Sequence, residues 1–256
     1  MTLNYKKVGE GGQPLIILHG LFGSLDNWLT LSKAIANQGY TVYLVDQRNH
    51  GRSPHDDAFS YEHMAADLKE FLEEHQLSNP VLVGHSMGGK TVMQYAVTYP
   101  GTFDKLVVVD MAPKAYPVHH GDILRGLNAV PLHELENRNQ ADETFAQYEP
   151  NLGVRQFLLK NLYRKEDDTF DWRFNLQVLT RDIEKVGVPI AATEAVTAPT
   201  LFMRGAKSDY VLDTDQNMIK KIFPNAELDT IAGAGHWIHA EQPKAFVESL
   251  ISFLKK

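Results

Sequence analysis

A serine set between two glycines, directly after a short apolar run and directly before a helix-like pattern, constrains this chain more than any other feature. The stretch is Val81 to Gly89, V-L-V-G-H-S-M-G-G, in which Gly84, Ser86 and Gly88 spell G-x-S-x-G. Val81-Leu82-Val83 has the composition of a buried strand, and Met87, Thr91, Val92, Tyr95, Ala96 and Tyr99 recur at helical spacing. A strand-to-helix turn this tight strains its central residue and brings neighbouring chain very close, which calls for glycine on both sides. A helix starting at Ser86 turns its free N–H groups and positive dipole end toward the place where an oxyanion would form. The same letters also occur in plain surface turns. The flanking strand and helix make the serine a candidate nucleophile.

The rest of the chain is large enough to house such a site. Its 256 residues, 43% hydrophobic and 22% charged, suffice for one large α/β domain with an insertion. A net charge of −7 gives no global basic field for nucleic acid or anionic membrane. With no cysteine, disulfides, thiolate metal sites and a cysteine nucleophile are all excluded. No apolar run approaches the ~18 residues of a membrane span, and the opening M-T-L-N-Y-K-K-V-G-E has no apolar leader core, so a soluble cytoplasmic protein is expected.

Leu3 to Val8 reads as an edge strand, and Leu15-Ile16-Ile17-Leu18 as a strand covered on both faces. The latter ends in His19-Gly20-Leu21-Phe22-Gly23-Ser24. An H-G after a strand is where acyl-transfer enzymes place a second backbone donor for an oxyanion, although an ordinary β-α loop looks the same in isolation. Leu25 to Asn37 reads as a helix and Tyr40 to Asp46 as a strand. The loop D-Q-R-N-H-G-R-S follows, Asp46 to Ser53, in which His50 reads as a structural histidine. Ser60 caps a helix whose apolar stripe runs from Tyr61 to Leu72.

Lys105 to Asp110 is a further buried-type strand ending on a carboxylate. In open parallel sheets ligands sit outside the carboxyl ends of the strands, so Asp110 is a site candidate, with helix cap or turn former as the equal alternative. From Lys114 to about Ala195 no strand pattern appears. Amphipathic or polar segments run through Ile123–Leu127, Val154–Tyr163 and Trp172–Leu179, as expected of an inserted helical cap. Its aromatics Tyr116, Phe157, Tyr163, Phe170, Trp172 and Phe174 are cap core or pocket wall. Residues 1–113 and 196–256 then make the core domain, with strands at Pro199–Arg204 and Glu227–Ile231 and helices at about Thr214–Phe223 and through Phe246–Leu254. His236 lies on the glycine-rich loop G-A-G-H-W-I-H-A-E, which can carry an imidazole across to a serine on another strand. His239 and Glu241 are too few to complete a metal site with it.

With Ser86, a strand-end aspartate and His236 in that order, the chain resembles the α/β-hydrolase fold, a mostly parallel doubly wound sheet with an inserted cap. In H-G-L-F-G-S-L-D-N-W, D-Q-R-N-H-G-R-S, G-H-S-M-G-G-K and G-A-G-H-W-I-H-A-E-x-P it resembles the YbfF-type bacterial esterases, which hydrolyse acyl esters and thioesters. The resemblance implies Ser86 as nucleophile, His236 as general base and the backbone N–H groups of Leu21 and Met87 as oxyanion hole. It also implies a small-molecule ester or thioester as partner and no cofactor. Phe22, Tyr116, Tyr210 and Trp237 are expected to line the pocket. The family's usual acid slot, three residues past Gly205, holds Ser208, with Asp209 one position late. The subgroup can use the preceding strand's aspartate instead, so Asp110 is expected and Asp209 is the alternative. Carbon–carbon bond hydrolysis on acidic substrates would call for a basic pocket, with Arg48, Arg125, Arg155 and Arg173 as candidates, and a slow triad-bearing binding protein is the reading from another class.

Overall fold

The computed structural model describes residues 1–256. Five strands open the main sheet: β1 (Tyr5–Val8), β2 (Gln13–Leu18), β3 (Tyr40–Val45), β4 (Val81–His85) and β5 (Lys105–Val109). β8 (Thr200–Gly205) and β9 (Ala226–Ile231) complete it in the order β1-β3-β2-β4-β5-β8-β9. Only β1 runs antiparallel, pairing with β3 at one edge. The apolar run of β2 splits by alternation: Ile16 and Leu18 face one side of the sheet with helices α2 (Tyr61–Glu74) and α3 (Met87–Thr98). Leu15 and Ile17 face the other, with α1 (Leu29–Ala36) and α10 (Pro243–Leu254). The site lies at a topological switch. From β2 the chain goes outward to β3 and then crosses back to β4 on the other flank of β2, so the carboxyl ends of β2 and β4 diverge into a crevice.

The turn from β4 into α3 has no room for side chains beside the serine. A Cβ on Gly84 would stand 2.1 Å from the Gly88 carbonyl oxygen, and one on Gly88 would stand 2.4 Å from that of Leu18. The helix begins at Met87, and Ser86 caps it in left-handed backbone, φ 53°.

Between β5 and β8 the chain builds an insertion of four helices, α4 (Gly121–Ala129), α5 (Arg138–Phe145), α6 (Leu152–Leu159) and α7 (Leu176–Arg181). It also contains strands, which corrects the expectation of none: β6 (Leu162–Arg164) and β7 (Phe170–Trp172) pair antiparallel. At three residues each they are too short to show alternation, and the polar turn Lys165–Asp168 joining them reads as loop. The insertion leaves and returns through a neck. Tyr116 N–H donates to the Gly187 carbonyl and Ile190 N–H to that of Pro113, both at 2.8 Å. Below them the Lys90 ammonium of α3 donates to the Lys114 carbonyl at 2.5 Å and the Val188 carbonyl at 2.7 Å. Helices α8 (Gln216–Ile222) and α9 (Ile238–Glu241) complete the chain, and no helix is long and apolar enough to cross a membrane.

Candidate active site

Asp110 follows β5 in left-handed backbone, φ 49°, and is fully buried. Its carboxylate gathers three donors from the far side of the crevice. His236 Nδ1–H donates to Oδ2 at 2.8 Å, Ser208 Oγ–H donates to the same oxygen, and Gly205 N–H donates to Oδ1 at 3.1 Å. Asp209 is exposed and, although it lines the same cavity as His236, makes no hydrogen bond to the imidazole. The structure thus brings Asp110, not Asp209, to His236, and the serine in the usual acid slot serves the aspartate as a donor. With Nδ1 held by a carboxylate, His236 carries its proton there and keeps Nε2 free to accept one. Its ring stacks on Tyr210, centroids 4.0 Å apart.

Ser86 lies against the loop after β2: a Cβ on Gly20 would be 3.2 Å from the Ser86 Cβ. The Leu21 and Met87 N–H groups donate no hydrogen bond within the protein and flank this contact from two elements. Phe22, next in the loop, has φ 57°, and its carbonyl is held at 2.8 Å by the Asn161 side-chain amide of the insertion. Sequence reading passed over Asn161, because a lone polar residue between a helix and a two-residue approach to a hairpin carries no signal.

Ser86, His236, Leu21 and Met111 share a cavity of about 620 Å³ between the sheet and the insertion. Phe22, Tyr116, Tyr210 and Trp237 all line it, and Phe157 and Val154 of the insertion add apolar wall. Phe170, Trp172 and Phe174 are buried core instead. None of the four arginines considered for a basic pocket reaches the cavity. Arg48 pairs with buried Asp67 at 2.6 Å, Arg155 with Asp142 at 2.7 Å and Arg125 with Asp122, while Arg173 lies over the Tyr163 ring at 3.9 Å. Lys114 is the one basic lysine or arginine side chain on the lining, and Asp215 neutralises it at 2.6 Å.

Four further histidines buttress the crevice in neutral form. His85, the residue before Ser86, donates from Nε2 to the His236 carbonyl at 2.9 Å, fixing the backbone of that loop. Its pKa lies well below the ordinary value through burial first and through His239 and His236 second. Burial lowers His19 to about 4; burial and then His19 lower His50 to about 3; burial and then His236 lower His239 to about 3. His50 is indeed structural, with Nδ1–H donating to the Arg48 carbonyl at 3.0 Å. These groups tie stability to pH with a definite sign. An unfolded histidine takes up its proton near 6.5, whereas the folded protein resists protonation of these three until about 4 to 3. Their contribution is complete above pH 6.5 and is lost as pH falls toward 4 and then 3. Each withheld proton costs ~1.4 kcal/mol per pH unit, so three give a slope of about 4 kcal/mol per unit below pH ~6. Urea unfolding is expected to show that steep loss between pH 6 and 4.5. Equal unfolding free energies at pH 7 and 5 would contradict it.

Known proteins resemble this one along its whole length. Residues 13–145 match the model of the alpha/beta hydrolase fold family. The sn-1-specific diacylglycerol lipase ABHD11 of Mus musculus is 39% identical over 263 residues, covering 99% of this chain and 85% of its own. Esterase YbfF of Escherichia coli is 39% identical over 246 residues, covering 96% of this chain and 94% of its own. A solved marine microorganism esterase is 43% identical, covers 98% of both chains and superposes with a TM-score of 0.95. By sequence, sheet order and the turn around Ser86, the chain belongs to the alpha/beta hydrolase fold family.

Proposed function

We propose that this carboxylic ester hydrolase cleaves esters and thioesters of small to medium acyl chains, acyl-CoA among them, through an acyl-enzyme on Ser86. The observation that carries the reading is the Asp110–His236 pair at 2.8 Å, opening onto the same cavity as Ser86. Ser86 Oγ adds to the ester carbonyl carbon as its proton passes to His236 Nε2, and the former carbonyl oxygen becomes an oxyanion facing the Leu21 and Met87 N–H groups. Collapse of the adduct expels the alcohol or thiol, which takes the proton from His236. Water, deprotonated by the same nitrogen, then adds to the acyl-enzyme carbonyl; the bond between the acyl carbon and Ser86 Oγ breaks, Oγ takes the proton back from Nε2, and the acid departs. Asp110 fixes the imidazole tautomer and stabilises the imidazolium without taking the proton. Labelling with a fluorophosphonate should place one adduct, on the peptide containing Ser86, and abolish hydrolysis in step. Hydrolysis that persists in fully labelled protein would overturn the reading. Carbon–carbon bond hydrolysis on acidic substrates has no support from the arginines, which are paired elsewhere.

The insertion acts in this reading as a helical cap, segment 114–195, that sets acyl-chain preference over chemistry supplied from below. The cavity beneath it, about 620 Å³, falls within the ~300 to 1,000 Å³ usual for small-molecule sites, and its wall is largely apolar. Phe157 is half-buried on that wall, 6.1 Å from the Trp237 ring. Phe157→Ala is expected to change the chain-length ranking of kcat/KM across p-nitrophenyl esters while leaving stability nearly unchanged. Phe174 stacks on Trp172 and meets Phe22 edge-on with 1% exposure, so Phe174→Ala should cost ~3 to 5 kcal/mol in urea unfolding. Uniform scaling of every substrate by Phe157→Ala would remove the cap from the specificity argument.

A further inference from the structure

The two N–H groups assigned to the oxyanion hole sit on separate elements, Leu21 on the loop after β2 and Met87 at the head of α3. A donor is useful only within ~0.3 Å of its working distance, so something must hold the two elements in register. Between them lies Gln47, on the loop after β3 and 2% exposed. Its side-chain N–H donates to the His19 carbonyl at 2.7 Å, and its side-chain carbonyl accepts the Thr91 hydroxyl at 2.7 Å. Its backbone N–H donates to His19 Nε2 at 3.0 Å, which leaves the proton of that ring on Nδ1, and Nδ1–H donates to the Gly20 carbonyl at 2.8 Å.

The last bond matters because the Gly20 carbonyl and the Leu21 N–H belong to one planar peptide and point in opposite directions. Holding the carbonyl down toward His19 aims the N–H away from it. On the other side, Thr91 is one helical turn past Met87, with its hydroxyl 3.2 Å from the Met87 carbonyl. The amide can satisfy both neighbours in only one orientation, since the His19 carbonyl accepts and cannot donate. We propose that Gln47 is a positioning residue that clamps the loop after β2 to helix α3 and so fixes the spacing of the two oxyanion donors. The proposal rests on the assignment of Leu21 and Met87 as those donors.

The test is a double-mutant cycle on Gln47→Met and Thr91→Val, with kcat, KM and the inhibition constant of an acyl trifluoromethyl ketone as readouts. The ketone adds a serine to form a tetrahedral oxyanion, so it reports the hole itself. Losing one oxyanion donor outright costs ~10² to 10³ in kcat. A displaced donor should cost less, about 10- to 100-fold, with KM within about twofold of wild type and the ketone's inhibition constant raised by the same factor as kcat falls. Because both substitutions cut the same clamp, the double variant should lose no more than Gln47→Met alone. Should Gln47→Met fail to fold, Thr91→Val and Gln47→Glu carry the test. Ionised at alkaline pH, the glutamate accepts from Thr91 but has no hydrogen for the His19 carbonyl and should show the same loss relative to wild type; protonated at lower pH it donates there as the amide does, and the loss should shrink. Folded variants with wild-type kcat and ketone affinity would overturn the clamp, as would losses that are additive and confined to KM. A ketone that does not inhibit the wild type at all would instead overturn the oxyanion-hole assignment.

Discussion

Replacing Ser86 by alanine is expected to lower kcat for ester hydrolysis by on the order of 10⁶ while KM and the thermal midpoint stay at wild-type values. The size follows from the division of labour in a serine triad, where loss of the nucleophile alone disables the other two members. What survives is the slower attack of water on a carbonyl still polarised by the Leu21 and Met87 N–H groups. Stability should be unaffected for three reasons. The change deletes one oxygen, the residue makes no side-chain cap bond to α3, and alanine tolerates φ 53° no worse than serine does. The check is steady-state kinetics beside a thermal melt on the same preparation. Near wild-type turnover in the folded variant would end the serine-hydrolase reading.

Asp110→Asn should lose about 10⁴ in kcat with KM little changed, the cost of presenting His236 with the wrong hydrogen-bonding partner. The surroundings of Asp110 sharpen this expectation. Its carboxylate receives hydrogen bonds from His236, Ser208 and Gly205, all as acceptor, and the site is fully buried. An asparagine offers one oxygen and one NH₂ to three donors, so at least one of them is left facing another donor, and the imidazole is pushed toward the opposite tautomer. Asp209→Asn changes an exposed loop carboxylate without a bond to the histidine, and its kcat should stay within roughly tenfold of wild type, or 1.4 kcal/mol. Parallel kinetics on the two variants separate the candidates. The reverse pattern would hand the orienting role to Asp209.

The middle of the sheet was legible because its central strands are buried on both faces and therefore appear as unbroken apolar runs: Leu15–Leu18, Val81–Val83 and Leu106–Val109 each lie on the strand they suggest, with Asp110 one residue past the last of them. The turn at Ser86 was legible for a steric reason. Gly84 and Gly88 sit where any side chain would overlap the backbone, and such a requirement leaves a mark in the letters. The insertion was harder. Its hairpin is short, its helices are marginal in pattern, and whether an aromatic such as Phe157 or Phe174 faces cavity or core depends on how several elements pack. The least legible residues were those acting through a single long-range bond. Gln47 meets Thr91 across 44 positions and Asn161 meets Phe22 across 139, and no local pattern records such a partnership. Asp110 stood between the two cases: its strand was clear, but its bond to His236 spans 126 positions, and on residue pattern alone a helix cap was an equal reading.

The neck described above gives the molecule a seam. Because Pro113 and Ile190 are hydrogen-bonded to each other, and Lys90 grips the carbonyls just inside, the chain re-enters the sheet beside the point where it left. Whatever is spelled between those residues does not set the distance that β5 and β8 must keep. Lengthening a flexible connection costs only ~0.6 kcal/mol per doubling, so descent is free to rewrite the roof wholesale while the floor is inherited intact. The exception is the side chain that reaches back down: Asn161, through its grip on Phe22, obliges each rewritten roof either to supply a comparable amide at that spot or to leave the loop after β2 unbraced. Each new insertion therefore arrives with a geometric condition attached, imposed at one carbonyl oxygen of the loop after β2.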